Sequence, residues 1–277
     1  MNLTLQIAER ELFARYFSTY YTNIWFRTLK QLRNLASEDN EVGYWILNGE
    51  TKVAGVIIDD DSLSYLFAIP PYNLEIVDLL KPILKTFTSG KQIDAYCVLD
   101  DHLEAFQNVG FKLTKTRSCM IRPTEKKDII MSNGYTILHP KQEDASAIIR
   151  FLYESNLNGV DEESFEETSD YVNDYFMDNN HEHLQKASSI IYDHNKTVVG
   201  LCLVSLWEGL PLIYDVAVKP DNRGTGLGTI MLNRAINEMY DKYPAIRLFV
   251  SSENDAKGLY TKIGFLSGGN YSTLRLE

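Results

Sequence analysis

The stretch Asp215-Val216-Ala217-Val218-Lys219-Pro220-Asp221-Asn222-Arg223-Gly224-Thr225-Gly226-Leu227-Gly228 reads as a strand, a turn and the start of a helix. Glycines 224, 226 and 228 remove side chains where main chain must come close to a ligand. The first-turn N–H groups of the helix have no intrahelical acceptors, so they can hold an anion. Arg223 adds a cation with several donors for phosphate oxygens. A glycine-loosened turn before an ordinary helix is the plainer reading of the same residues. No Gly-Lys-Ser/Thr follows, which excludes a Walker loop, and the Gly-x-Gly-x-Gly spacing weakens a dinucleotide fingerprint.

Around this stretch the pattern is regular. Before it, Ser189–Tyr192 and Val198–Leu206 form a hairpin across Asp193-His194-Asn195, and Ile213–Val218 is the strand that ends at Pro220. After it come a helix from about Thr225 to Tyr240, a strand Arg247–Val250, and a short helix closing at Ile263-Gly264-Phe265. The first half shows the same order. Leu5–Leu35 reads as two helices with a break near Thr22-Asn23. A hairpin follows, from Tyr44–Leu47 through Asn48-Gly49 to Val53–Ile58. A strand Leu63–Ile69, a helix from about Leu74 broken or ended near Pro82, a strand Ile93–Leu99 and a short helix closing at Val109-Gly110-Phe111 complete it.

Residues match as well as elements. Thr197-Val198-Val199-Gly200 answers Lys52-Val53-Ala54-Gly55. Ala217 and Pro220 answer Ala68 and Pro71 at an offset of 149. Leu259, Tyr260, Ile263, Gly264 and Phe265 answer Ala105, Phe106, Val109, Gly110 and Phe111 at an offset of 154. An internal duplication of a mixed α/β unit is expected, joined by the charged, weakly patterned Thr124–Asn133. Residues 1–128 and 129–277 are the expected domains.

Composition bounds the function. With 44% apolar residues the chain can fill one or two cores, so disorder is excluded. A net charge of −11 argues against sequence-independent nucleic-acid binding, which needs clustered Lys and Arg. Cys97, Cys119 and Cys202 are too scattered for a disulfide framework or a metal site. Neither a signal peptide nor a membrane span is readable, so a cytoplasmic protein, monomer or homodimer, is expected.

A second signature decides the reading. Val250-Ser251-Ser252-Glu253-Asn254-Asp255-Ala256-Lys257-Gly258-Leu259-Tyr260-Thr261-Lys262-Ile263-Gly264-Phe265 resembles the Asn-x-x-Ala-x-x-Leu-Tyr-x-Lys-x-Gly-Phe signature of the GNAT acetyltransferases at near-identical spacing. Arg223–Gly228 resembles that family's Arg/Gln-x-x-Gly-x-Gly/Ala loop, and Asp215–Pro220 looks like its fourth strand. The resemblance covers roughly Tyr135 to Glu277. It implies two tandem GNAT-like domains and an enzyme that moves an acetyl group from acetyl-coenzyme A to an amine, without metal. It also implies that Val216, Ala217, Val218, Arg223, Gly224, Thr225, Gly226, Leu227, Gly228, Asn254 and Lys262 bind the coenzyme. A tandem acyltransferase of another donor or acceptor class (mycothiol-synthase-like) and a non-catalytic coenzyme A-binding protein are the alternatives.

By the same resemblance Tyr260 is the general acid for the departing thiolate; on its apolar helical stripe it also reads as a core aromatic. Strict alternation puts Asp215 on the opposite face from Tyr214 and Val216. There it is a candidate base, an orienter of the amine, or a partner for a cation; Glu208 is a weaker candidate base. Asn254 is a helix cap, a coenzyme contact, or both. In the first half the glycine loop becomes Glu75-Ile76-Val77-Asp78-Leu79 and Tyr260 becomes Phe106, so that repeat keeps a structural role without this site. The segment Asn158–Gln185 holds nine carboxylates and no Lys or Arg before Lys186, either a border for a cationic acceptor or a solvated helix face. His181 and His183 within it read as an exposed loop pair.

Overall fold

Strands and helices are mixed along the chain in the computed structural model, which describes every residue except 1, 38–41, 73–75, 88–91, 130–133, 158 and 180. In chain order the elements are β1 (Leu3–Ile7), α1 (Arg10–Tyr20), α2 (Leu29–Leu35), β2 (Gly43–Asn48), β3 (Thr51–Ile58), β4 (Ser62–Ala68), α3 (Ile76–Leu84), β5 (Ile93–Leu99), α4 (Asp100–Asn108) and β6 (Lys112–Pro123). They continue as β7 (Thr136–Leu138), α5 (Ala145–Asn156), α6 (Phe165–Asp178), α7 (Glu182–Ala187), β8 (Ser189–Tyr192), β9 (Val198–Trp207), β10 (Leu210–Val218), α8 (Leu227–Met239), β11 (Ala245–Ser251), α9 (Ala256–Lys262) and β12 (Leu266–Leu276).

Two compact units result: Met1–Ser118 with Gly268–Glu277, and Cys119–Ser267. These differ from a division at 128/129. The last ten residues belong to the first unit, where Leu274 is fully buried and Arg275 bridges Asp94 at 2.7 Å. Residues 124–129 of the expected linker lie in the second unit, and Asn237 brackets Lys127 there through both its amide oxygen and its amide nitrogen. Glu75, Asn158, the expected helix start at Leu74 and residues 130–133 of the linker fall outside the described residues.

In the first unit the strands run β1-β2-β3-β4-β5-β12, antiparallel except for the parallel β4–β5 pair. The second unit runs β7-β8-β9-β10-β11 and then the end of β6 from Cys119 on, with β10–β11 parallel. On one face of its sheet Met231, Leu232, Ala235 and Ile236 of α8 pack with Tyr260 and Phe265. On the other, Ile148 and Leu152 of α5 and Val172, Tyr175 and Phe176 of α6 pack on Leu201 and Leu203.

The duplication is visible atom by atom. Gly110 and Gly264 end α4 and α9 at φ 105° and 96°, in the left-handed region that a side chain disfavours. In both, the glycine N–H reaches back three residues and the following Phe N–H reaches back five, the bond pair of a Schellman cap. Parallel pairing also stops at matching places, Ser64 on β4 and Ile213 on β10. The strand that follows β9, like the one that follows β3, carries an irregularity just beyond that point.

Candidate active site

The site begins where β10 and β11 part. Their parallel pairing is confined to Leu212–Arg247 and Ile213–Leu248, while β10 continues to Val218 against β9 alone. Lys219 N–H donates to Val199 at 3.0 Å, and the ladder register makes Asp215 and Ala217 the other residues whose main chain bonds β9. Val216 and Val218 therefore aim their main-chain N–H and C=O toward the gap. A cavity of about 670 Å³ opens there, lined by Val216–Val218, Arg223, Gly224, Gly226, Leu227, Gly228, Asp161, Asn254 and Tyr260, among others.

A bulge between Ile213 and Asp215 corrects the expected alternation. Tyr214 packs with the α5–α6 side of the sheet, where it stacks on Tyr171 at 4.4 Å, whereas Val216 packs with the α8 side. The two do not share a face.

The glycine loop turns more sharply than its sequence suggests. Gly224 and Gly226 sit at φ 76° and 90°, and α8 starts at Leu227, two residues later than expected. A Cβ on either glycine would meet open space, so backbone conformation and not crowding by protein selects glycine here. Gly228 differs: its Cβ would lie 3.3 Å from Leu259, which lets α8 pack closely on α9. The Arg223 guanidinium donates to the Val218 carbonyl and the Ser155 carbonyl, both at 3.2 Å, and so ties the end of β10 to the end of α5.

Tyr260 is buried among apolar side chains yet lines the cavity. Burial is the main reason its phenol is held well above the ordinary range, with the charges of Asp215 and Asp161 acting the same way. Asp215 is partly covered from solvent. Desolvation pushes its carboxyl up to about 7; a hydrogen bond from the Val216 N–H opposes this, and the charges of Glu163 and Asp161 add to it. Asn254 uses its whole side chain within the protein, Oδ1 accepting from Ala256 N at 2.9 Å and Nδ2 donating to Asp161 at 3.0 Å.

Not every expected residue reaches the cavity. Thr225 and Lys262 are exposed and absent from its lining, and Asp215 is absent from it as well. Glu208, at φ 48°, lies 3.9 Å from the buried Arg247 guanidinium. Eight of the nine carboxylates in 158–185 are exposed; Glu167 completes a capping box with Ser164, and Glu182 pairs with Lys186 at 2.7 Å. The ninth, Asp161, is the residue that pattern reading missed. In sequence it is one acid in an acidic run, and only the fold carries it to Ser251 and Asn254. His181 stacks on His183, whose Nε2 lies 3.2 Å from the Tyr243 hydroxyl. Among the described residues no group of three potential metal ligands is found, and no helix is long and apolar enough to cross a membrane.

Comparison with known proteins places these features. Residues 149–265 match the model of the acetyltransferase (GNAT) family. No curated protein sequence matches the chain. The fold is similar to that of a GCN5-related N-acetyltransferase from Sphaerobacter thermophilus, at TM-score 0.68 and 14% identity over 99% of this chain and 95% of that one. A tandem GNAT protein from the clavulanic acid biosynthesis pathway aligns over 100% and 98% of the two chains at TM-score 0.57 and 10% identity. A GNAT-family acetyltransferase from Colwellia psychrerythraea gives TM-score 0.56 and 12% identity over 98% of each chain.

Proposed function

Residues 149–265 belong to the GNAT acetyltransferase family, and from that premise we propose that the second unit transfers an acetyl group from acetyl-coenzyme A to a primary amine of a small molecule or peptide. One observation carries the reading. A single cavity joins the glycine loop and the start of α8 to Tyr260 and to the edge of β10 left open by β11.

The residues fit the coenzyme. Open space beside Gly224 and Gly226, next to the N–H groups of a helix's first turn, suits a pyrophosphate. The main chain of Val216 and Val218 suits the amides of a pantetheine arm, which would extend the sheet as a strand does. Acetyl-coenzyme A supplies an acyl group already activated as a thioester.

The chain's own groups do the rest. Asp215, which does not line the cavity, accepts the proton of the amine through water; a carboxyl near 7 is matched to that task at neutral pH. Val216 N–H donates to oxygen as negative charge develops on it, a contribution of about 3 kcal/mol where such donors are preorganised. Tyr260 keeps its proton at any physiological pH and gives it to the departing sulfur, an effect of about 10² to 10⁴ in rate for a positioned acid. The carboxylates of Asp161, Glu163 and Asp215 favour a cationic acceptor.

The test is thiol release from acetyl-coenzyme A across a panel of polyamines, aminosugars and basic peptides. Release that depends on one class of amine supports the reading. Binding of coenzyme A with no amine-dependent release would make the protein a coenzyme sensor.

A further inference from the structure

We infer that Asp161 is a positioning residue for this acyl transfer, acting through Asn254 to fix the helix that carries Tyr260; the inference rests on the acetyltransferase reading above. Asp161 stands 90 positions before Ser251, in the segment between α5 and α6, yet both its oxygens are bound to the turn that ends β11. Oδ1 accepts from the Ser251 hydroxyl at 2.6 Å and Oδ2 from the Asn254 amide at 3.0 Å. Only a carboxylate can accept in both directions at once; an amide must present a donor on one side.

The chain of contacts then runs into α9. Asn254 Oδ1 accepts from Ala256 N–H at 2.9 Å, satisfying one of the orphan donors of the helix start. The residue at the cap position, Asp255, makes no side-chain cap bond, so this start leans on Asn254. Asn254 also belongs to the turn itself, through its N–H to the Ser251 carbonyl and its carbonyl to the Lys257 N–H. Since α9 spans only Ala256–Lys262, Tyr260 lies about one turn beyond this anchor, and it lines the same cavity as Asp161. A seven-residue helix has little stability of its own and takes its orientation from its contacts.

The hydrogen-bond chemistry supplies its own control. In Asp161→Asn the amide oxygen can still accept from Asn254 and its nitrogen donate to the Ser251 hydroxyl, which accepts as well as donates, so this variant keeps both contacts and loses only the charge. In Asn254→Asp two carboxylates face each other. In the double variant, which combines Asp161→Asn with Asn254→Asp, every bond is rebuilt. The new amide at position 161 accepts from Ser251 through its oxygen and donates through its nitrogen to the new carboxylate at position 254. The second oxygen of that carboxylate accepts from Ala256.

The experiment measures two things on the full chain and these three variants: kcat and KM for thiol release, and hydrogen exchange at the amides of 256–260. Asn254→Asp should lose kcat by up to about a hundredfold, with KM for acetyl-coenzyme A near the wild-type value, because misplacing a group that acts in the transition state costs rate, whereas Asp161→Asn should lose little. Exchange over α9 should quicken in parallel in Asn254→Asp, and the double variant should recover most of both. An Asn254→Asp variant with wild-type exchange and kcat overturns the assignment, and so does a double variant no better than that single. A wild-type protein that releases no thiol sinks the acetyl-transfer reading instead, and the exchange pattern alone then decides whether Asp161 holds α9.

Discussion

Two side chains carry opposite expectations for the same kind of substitution. Tyr260→Phe keeps the ring that packs near Phe265 and removes only the hydroxyl, so the fold should tolerate it; the first unit already buries Phe106 at the matching place. The expected outcome is a fall in kcat of roughly ten- to a thousandfold, with acetyl-coenzyme A affinity preserved. Wild-type turnover in that variant, measured with a good acceptor, would leave Tyr260 a packing residue. Asp215 works in the other direction. Its carboxyl is raised from 3.8 to about 7 in the folded protein, mainly by desolvation, in a setting that also includes Asp161, Glu163, Cys202, Tyr214 and Tyr260. As the base it must be ionised, so kcat/KM should climb with pH and level off above about 7, and Asp215→Asn should lose both activity and that limb. For stability the sign reverses: a raised pKa contributes fully below the unfolded value near 4, and the contribution is lost as pH rises through about 7. Asp215→Asn should therefore melt higher than the wild type at about pH 8 and alongside it at about pH 4. Calorimetry at the two pH values checks this, and equal melting at the higher one counts against a desolvated Asp215. The residue types of this site are legible in the sequence because local motifs announce them. The bulge that moves Tyr214 to the other face, and the contact of Asp161 with Asn254, are not, since each depends on pairing partners far away in the chain.

At the scale of elements, local signals mark strands and helices well wherever punctuation is present. The Asn48-Gly49 turn, Pro220, and the glycines after α4 and α9 all fall at real boundaries. Reading fails where the deciding contact is remote. The stretch Leu3–Ile7 runs into an expected helix because five residues of alternating pattern mean little without β2, to which they pair from Leu3–Asn48 to Ile7–Tyr44. β12 contains Gly268-Gly269-Asn270, which resembles a loop. It is a strand in which a Cβ on Gly268 would lie 2.1 Å from the Ile24 carbonyl oxygen, so glycine there admits main chain against main chain. The helix after the glycine loop starts at Leu227 because Gly226, at φ 90°, is still turning the chain. That conformation gives the loop its prediction. Gly226→Ala places an L residue in the left-handed region, at a cost of about 1–2 kcal/mol, and puts a methyl group into the open space proposed for phosphate. Coenzyme A affinity should fall at least tenfold while the melting temperature drops by only a few degrees, as calorimetry would show. Unchanged affinity would mean that the loop does not hold the coenzyme.

For the molecule as a whole, duplication raises the question of how many coenzymes one chain binds. Each unit parts its central parallel strands at the same place, so the fold alone would allow two sites. The first unit spends that place differently. Just beyond the last β4–β5 pair, Tyr65 packs edge-on against Phe17, Tyr21 and Trp25 at 5.4 to 5.9 Å, and the Tyr21 hydroxyl donates to the Cys97 carbonyl on β5 at 3.0 Å. What is left is a cavity of about 250 Å³ lined by Ser64, Tyr65, Tyr96 and Cys97, well under half the volume in the second unit. Its helix α3 begins Ile76-Val77-Asp78 with no glycine, and Asp78, a carboxylate where a pyrophosphate would lie, pairs with Lys81 at 2.5 Å. Loss of the glycines and of Tyr260's counterpart is readable from sequence; the aromatic packing is not, because its members come from α1, the loop after it, and β4. Titration of the intact chain with coenzyme A should accordingly fit one site per chain, and the Gly226→Ala variant should show little heat. Two equivalent sites in the wild type would return a binding role to the first unit, and one site that survives in the Gly226→Ala protein would move it there.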